Sequence, residues 1–186
     1  MEEPLSDKKF YDQLVYWISM CNFHGGFNQI FFAPFLISLT NENNFDWKFG
    51  TSEFSRNVGL TNSLFFMGMA LSSASASLYL GFNMRKVLMA FSLMSMVSVL
   101  CHCFTNETLF FAGRLILGYS CGIMRTVSSI FLNHVSPTSC RGTSSYIWGL
   151  GSKLAGIFIF TLAIMDNGSS VYWRLVFCIQ LIPSVT

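Results

Sequence analysis

The stretch 109-LFFAGRLILGYSCGIMRTVSSIFLNHV-135 decides the fold class, because it stays largely apolar over a length that can cross a membrane. A helix rises about 1.5 Å per residue, so about 20 apolar residues span a hydrocarbon core of about 30 Å. Within the stretch, Gly118-x-x-x-Gly122 would let a second helix approach closely. The sequence here predicts a membrane-spanning helix that packs inside a bundle.

The composition of the whole chain also points to a membrane protein. Of its 186 residues, 52% are hydrophobic and 11% are charged, with a mean hydropathy of +0.51. A soluble domain carries about 25% charged residues, so this chain could not cover a soluble surface with polar groups. The formal net charge of +2 gives no support for a nucleic-acid partner. We therefore predict the lipid bilayer as a partner of the chain and no nucleic acid.

Apolar runs separated by short polar connections give the predicted architecture. Residues 1–13 mix acidic and basic side chains without a small-residue cleavage site, which predicts a cytoplasmic tail and not a signal peptide. Residues 14–186 are predicted to form the bundle, with spans at about 14–39, 58–80, 87–104, 109–135, 144–165 and 171–186, the last of them incomplete. Short connections favour antiparallel helical hairpins. The predicted fold class is an all-α, polytopic membrane helical bundle.

The basic residues of the connections predict the orientation in the membrane. With the N-terminus inside, inner segments hold more Lys and Arg than outer loops do. The inner residues are Lys8, Lys9, Arg85, Lys86 and Arg141, and the outer ones are Lys48 and Arg56. Two possible glycosylation sites, Asn106 and Asn167, fall in loops assigned to the outside. We expect an integral, multi-pass protein with a cytoplasmic N-terminus, located in the plasma membrane.

Arg125 and Lys153 stand out because both fall near the bilayer centre of their predicted spans. A charge at that depth costs about 3 kcal/mol or more, so it normally faces a bundle interior or a water-filled cavity. No Asp or Glu lies inside any predicted span. Three interpretations stay open: a carboxylate of a partner half pairs with the cations, a wide cavity hydrates them, or they bind an anionic substrate.

We predict a substrate pathway that includes Arg125, Lys153 and other residues at similar depth. Asn28 and Gln29 follow Gly25-Gly26 in the first span, where a helix weakened by two glycines can turn polar groups toward a central path. Hydrogen bonding of the two amides between helices is an equally good interpretation. Trp148 can line the same path, although packing is the simpler role for this side chain.

The sequence offers no catalytic, metal or cofactor site. Cys101-His102-Cys103 holds metal-binding atom types, but adjacent helix positions point in different directions and no second pair of ligands follows. No loop or span contains an acid–base pair, a nucleophile beside a base, or a phosphate-binding glycine loop. We therefore predict that the protein is not an enzyme and needs no cofactor.

Several motifs resemble the sugar-porter branch of the major facilitator superfamily, which includes the facilitative hexose transporters. The stretch Gly113-Arg114-Leu115-Ile116-Leu117-Gly118, with Val135-Ser136-Pro137-Thr138 and Arg141-Gly142 after it, is similar to the family's fourth span and following loop. Ala33-Pro34, Trp173-Arg174 and Leu181-Ile182-Pro183 resemble parts of the first and sixth spans. The resemblance implies two six-helix halves around a central site. This chain would be the N-terminal half, completed by a missing C-terminal half or a partner subunit.

The chain departs from the family pattern at gating and specificity positions. The cytoplasmic gate of the family maps onto Arg85, Lys86, His134 and Arg141. His134 stands where the family has a glutamate, and Gly149 stands where the family has a sugar-binding glutamine. Arg125 and Lys153 replace small, polar or apolar residues near the path. The scaffold thus resembles a hexose porter more closely than the specificity positions do.

The resemblance predicts transmembrane transport of a small organic solute, a hexose-type sugar first, by alternating access. Two alternatives stay open. The protein can be an organic-anion transporter of the same fold, which Arg125 and Lys153 favour. It can also be a membrane protein that no longer transports and acts by binding a partner.

Overall fold

The computed structural model describes residues 5–31, 34–35, 50–104, 106–165, 175–176 and 178. Its described elements are α-helices: α1 Leu5–Ile30, α2 Ser52–Tyr79, α3 Met84–Cys103, α4 Glu107–Val135 and α5 Arg141–Ile164. The described part contains no strand, in agreement with the predicted all-α class. The predicted sixth span, 171–186, lies almost entirely outside the described residues, so the six-helix count stays a prediction.

Helix α1 begins earlier than the predicted first span. It starts at Leu5, inside the stretch 1–13 that was predicted as a tail, and it runs without a break through Gly25 and Gly26 to Ile30. The two glycines therefore do not interrupt the helix. Pro34, three residues after Phe31, follows the helix end, where a residue without a backbone N–H fits.

Side-chain caps fix the starts of three helices. The side-chain oxygens of Thr51, Asn83 and Asn106 each accept a hydrogen bond from a backbone N–H in the first turn of α2, α3 and α4. Such caps satisfy donors that the first turn of a helix leaves unpaired. Glu53 and Glu107 also stand in the first turns of α2 and α4, where the helix dipole favours a negative charge.

Helix α4 is the centre of the bundle and packs against each of the other four described helices. Its contact with α2 depends on the predicted small residues. A side chain at Gly118 would collide with the backbone of Phe65, and one at Gly122 would collide with Ser72. Because Gly118 and Gly122 have no side chain, the backbones of α2 and α4 can approach closely, as in other glycine-rich contacts between membrane helices.

The contacts show which helix ends lie together. Asn57 Nδ2 donates to Glu107 Oε1 at 3.1 Å, which joins the starts of α2 and α4. At the opposite end, Tyr11 in α1 donates to Ser136 Oγ at 2.9 Å and also contacts Ser144 Oγ. The start of α1, the end of α4 and the start of α5 therefore share one end of the bundle.

Three of the described helices are long and apolar enough to cross a membrane by length and composition: 84–102, 107–135 and 141–164. Large apolar side chains also project outward from the bundle without cover from another described helix. They include Leu93, Val97, Leu100, Ile157 and Ile164. An apolar exterior of this kind suits lipid, so the chain is an integral, multi-pass membrane protein.

Candidate functional site

The site begins with a close contact between Gly25 in α1 and Arg125 in α4. A Cβ atom built on Gly25 would lie 2.8 Å from Arg125 Cδ and 3.1 Å from Arg125 Cγ. The glycine therefore leaves room for the aliphatic stem of the arginine. One helical turn further along α1, Gln29 Oε1 accepts a hydrogen bond from Arg125 Nη1 at 3.2 Å. Gly25 and Gln29 together fix where the guanidinium lies.

Gly26 likewise leaves room for close contact with α5. A Cβ atom on Gly26 would lie 2.7 Å from Ser152 Cα, and a Cβ atom on Gly151 would lie 2.7 Å from the carbonyl oxygen of Ser19. Helices α1 and α5 thus touch through glycine on both sides. Lys153 directly follows Ser152 in α5 and is exposed. Since Gly25 and Gly26 are adjacent, Arg125 and Lys153 belong to the same level of the bundle.

This level lies deep within the helices. At about 1.5 Å per residue, Arg125 lies about 15 Å along α4 from Val135, and Lys153 lies about 18 Å along α5 from Arg141. Both distances are about half of a hydrocarbon core of about 30 Å. The two cations therefore lie near mid-depth if the shared end of α4 and α5 marks one membrane surface.

Trp148 is held by two hydrogen bonds to neighbouring helices. Its indole Nε1 donates to Ser128 Oγ in α4 at 3.2 Å, and its carbonyl oxygen accepts from Asn22 Nδ2 in α1 at 2.7 Å. Ser128 in turn donates to the carbonyl oxygen of Arg125 at 3.1 Å. Trp148 is therefore fixed in place beside the arginine. Gly149, the next residue, has open space where a side chain would be, so it is not a packing glycine.

Asn28 lies in a different place from Gln29. It is buried, and its Nδ2 donates to the carbonyl oxygen of His24 at 2.9 Å and lies 3.8 Å from Cys121 Sγ in α4. His24 Nε2 lies 2.6 Å from Ser95 Oγ in α3. Asn28 thus belongs to a polar network inside the bundle, which matches the alternative of hydrogen bonding between helices. Gln29 is exposed at the surface of the described bundle.

Arg114, which belongs to the motif that carries the family resemblance, is buried in the structure. Its side chain is 2% exposed, its Nη1 lies 3.5 Å from the carbonyl oxygen of Asn28, and its Cζ lies 5.9 Å from the centre of the Phe65 ring. The packing of α1 and α2 against α4 covers this side chain.

The sequence analysis also missed His24 and the polar face of α3. Ser92, Ser95, Ser98 and His102 are all buried and recur every three or four residues. Ser98 Oγ donates to the carbonyl oxygen of Gly113 at 2.7 Å. Polar residues at helical spacing in an apolar span were the signal that could have identified this packed face.

The residues of the predicted cytoplasmic gate gather at one end of the bundle. Arg85 and Lys86 lie in the first turn of α3, His134 in the last turn of α4, and Arg141 begins α5. All four are exposed, and no hydrogen bond between described residues joins any two of them. Their gating role stays a prediction. Asn106 caps α4 at the opposite end, and Asn167 lies outside the described residues.

A groove of about 490 Å³ runs between α1 and α5. Val15, Met20, Phe23, Ile147 and Leu154 are among the residues that line it. Polar groups form only a small part of its surface, so it offers little to a hydroxylated solute. The polar face with Gln29, Arg125 and Trp148 is therefore the better candidate for solute contact.

Comparisons with known proteins show the family of the chain. The sequence profile described as "Sugar (and other) transporter" matches residues 14–186. The chain belongs to this family. The resemblance to the N-terminal half of a major-facilitator sugar porter is thereby confirmed, and the family consists of transport proteins, not enzymes.

Two curated relatives carry transport names. The facilitated glucose transporter member 3 of solute carrier family 2 from Oryctolagus cuniculus is 26% identical over 132 residues, which cover 68% of this chain and 26% of the relative. A probable metabolite transport protein of Saccharomyces cerevisiae is 31% identical over 118 residues, which cover 62% of this chain and 24% of the relative. The matched part of the chain thus spans about a quarter of each relative.

A solved structure supports the fold of this family member. The chain superposes on the crystal structure of a D-xylose-proton symporter with a TM-score of 0.77 and 14% sequence identity. The superposition covers 92% of this chain and 45% of the symporter chain. The described helices therefore have the arrangement of part of a sugar-symporter fold.

Proposed function

We propose that the protein takes part in the transmembrane transport of a small organic solute, a hexose-type sugar first, by alternating access. Membership of the sugar transporter family carries this proposal. The names of the rabbit and yeast relatives add support, because both describe transport.

The face around Arg125 supplies groups that suit a hydroxylated solute. Gln29 offers an amide, Trp148 an indole ring, and Gly149 open space beside the indole. Amides hydrogen-bond hydroxyl groups as donor and acceptor, and aromatic rings pack against the apolar faces of sugars. In the proposal, the solute contacts this face near mid-depth of the membrane.

The proposal requires a second set of helices. In alternating access, one bundle rocks against another around a site between them. The superposed part covers 45% of the symporter chain. We therefore propose that a C-terminal half, or a partner subunit, closes the site from the other side. We also propose a cytoplasmic N-terminus and a location in the plasma membrane.

Uptake of D-glucose against L-glucose tests the proposal. The protein would be expressed in cells that lack hexose uptake, alone and together with the C-terminal half of a hexose porter. Uptake of D-glucose but not L-glucose in either arrangement is the expected result. Equal entry of both isomers, or no entry with and without the added half, would contradict sugar transport and would favour the alternative of a membrane protein that acts by binding a partner.

A further inference from the structure

The positive charges at mid-depth have no carboxylate beside them in the described part of the chain. The ion pair formed between two described residues joins Arg56 and Glu53, both exposed at the start of α2. Arg125 instead donates to the neutral Gln29, and exposed Lys153 makes no ion pair with a described residue. A cation near the centre of a membrane is costly unless an anion or water compensates it.

The arginine is held by the fold in a defined position. Its stem fills the space that Gly25 leaves, and its carbonyl oxygen accepts from Ser128, which also holds the indole of Trp148. A guanidinium carries five N–H donors, and Gln29 accepts from one of its nitrogens. The structure shows no other hydrogen bond from this guanidinium to a described residue, so its remaining donors can bind a further acceptor.

We propose that Arg125, Gln29 and Lys153 form a carboxylate-binding site, and that the transported solute is a sugar acid or a similar hydroxylated organic anion. The inference rests on the proposed transport function and names its substrate class. A guanidinium binds a carboxylate through two parallel hydrogen bonds, and the amide of Gln29 can donate to the same group. Lys153, at the same level on α5, adds a second positive charge.

A carboxylate at this site has two possible sources, the solute or a side chain of the second half of the transporter. The solute is favoured because Trp148 shares Ser128 with Arg125 and no atom lies within 4 Å of where a Cβ of Gly149 would be, so an aromatic ring and open space accompany the cations. A side chain of the second half would need only the charges. If the solute supplies the carboxylate, a sugar acid should bind more tightly than a simple carboxylate. If a side chain supplies it, the two should bind equally.

Binding to the protein in lipid nanodiscs tests the inference with three probes: D-glucuronate, D-glucose and acetate. We expect D-glucuronate to bind more tightly than either of the others. Arg125→Gln should weaken D-glucuronate binding by about tenfold or more, because it removes charge-assisted hydrogen bonds, and should abolish the preference for D-glucuronate over D-glucose. Lys153→Gln should act in the same direction without disturbing packing, since Lys153 is exposed. Arg56→Gln replaces an exposed arginine at the start of α2, outside the proposed site, and is the control. It should leave the affinity for each of the three probes unchanged.

Other binding results would contradict the inference, and they differ in what they leave of the proposed function. Equal binding of D-glucose and D-glucuronate, or a preference that survives in both variants, would overturn the inference and leave sugar transport standing. Acetate binding as tight as that of D-glucuronate would assign the cations to a counter-ion and overturn the solute inference. Binding of neither sugar would overturn the proposed function and the inference with it.

Discussion

The imidazole of His24 and the hydroxyl of Ser95 lie 2.6 Å apart and connect α1 to α3 inside the bundle. Both side chains are wholly buried. The same imidazole nitrogen lies 3.3 Å from Asn28 Nδ2, which links the pair to the face of α4 that carries Cys121. A polar connection therefore runs from α1 to α3 and α4 inside the bundle.

We predict that Ser95→Ala lowers the free energy of unfolding by about 1 kcal/mol, because hydrogen bonds between membrane helices contribute on that order. Ser73→Ala is the control, since Ser73 is exposed and bonds only the carbonyl oxygen of Met69 in its own helix. Thermal or SDS-induced unfolding of the two purified variants measures the difference. Equal stability of the variants would show that the bond to His24 contributes nothing.

The contact between α2 and α4 predicts that replacement of glycine by alanine affects stability differently at Gly118 and at Gly59. Gly118→Ala should destabilise the protein by about 1–3 kcal/mol, since the added methyl group meets the backbone of Phe65. Gly59→Ala should be neutral or stabilising by up to about 1 kcal/mol, because Gly59 lies in α2 with open space around it and alanine favours a helix. Unfolding curves of both variants show whether each substitution lowers or raises the free energy of unfolding. Destabilisation of similar size at both positions would contradict the close contact.

The cap of α4 can be separated from the glycosylation sequon. Asn106 Oδ1 accepts from the backbone N–H of Thr108 at 2.9 Å and of Leu109 at 3.4 Å. Asn106→Ala should therefore cost about 1 kcal/mol, whereas Asn106→Asp should keep the cap. Thr108→Ala removes the sequon but leaves the cap oxygen in place, so its stability should match that of the unchanged protein. Unfolding of unglycosylated material measures the cap, and gel mobility with and without glycosidase reports any glycan. A stable Asn106→Ala variant would exclude the cap as a source of stability.

The orientation can be tested at Cys140, which is exposed at the start of α5, at the end that the basic residues assign to the cytoplasm. A membrane-impermeant maleimide should label Cys140 only after cells are permeabilised. Cys21 and Cys121 lie within helices and are half-buried or buried, so they should react slowly. Cys140→Ser identifies the labelled site. Labelling of Cys140 in intact cells would place this end outside and reverse the predicted topology.

Much of the fold could be predicted from the sequence, because apolar runs of sufficient length have few alternatives to a spanning helix. The motif from Gly113 to Gly122 predicted close packing of α4, and together with the motifs around it, it indicated the family. The bounds of α1 were less predictable. Helix formation extends through polar residues before position 14, where hydropathy alone predicts a tail.

For the candidate site, the sequence proposes the members but not their arrangement. Arg125 and Lys153 were identified by their depth, which depends only on counting residues along a helix. The different locations of the neighbours Asn28 and Gln29 could not be read from their shared spacing, because they depend on which side of α1 contacts α4. The burial of Arg114 could not be predicted for the same reason: it comes from helices that lie far away in sequence.

By itself, the sequence determined the membrane class, the helical elements and the family, since each depends on local composition, length or a continuous motif. Only the tertiary structure decided that Gly25 receives the stem of Arg125, that Gly26 receives Ser152, and that His24 reaches Ser95. The physical reason is that these contacts depend on how the helices are rotated and how closely they approach. Rotation and approach follow from the packing of the whole bundle and not from any one segment.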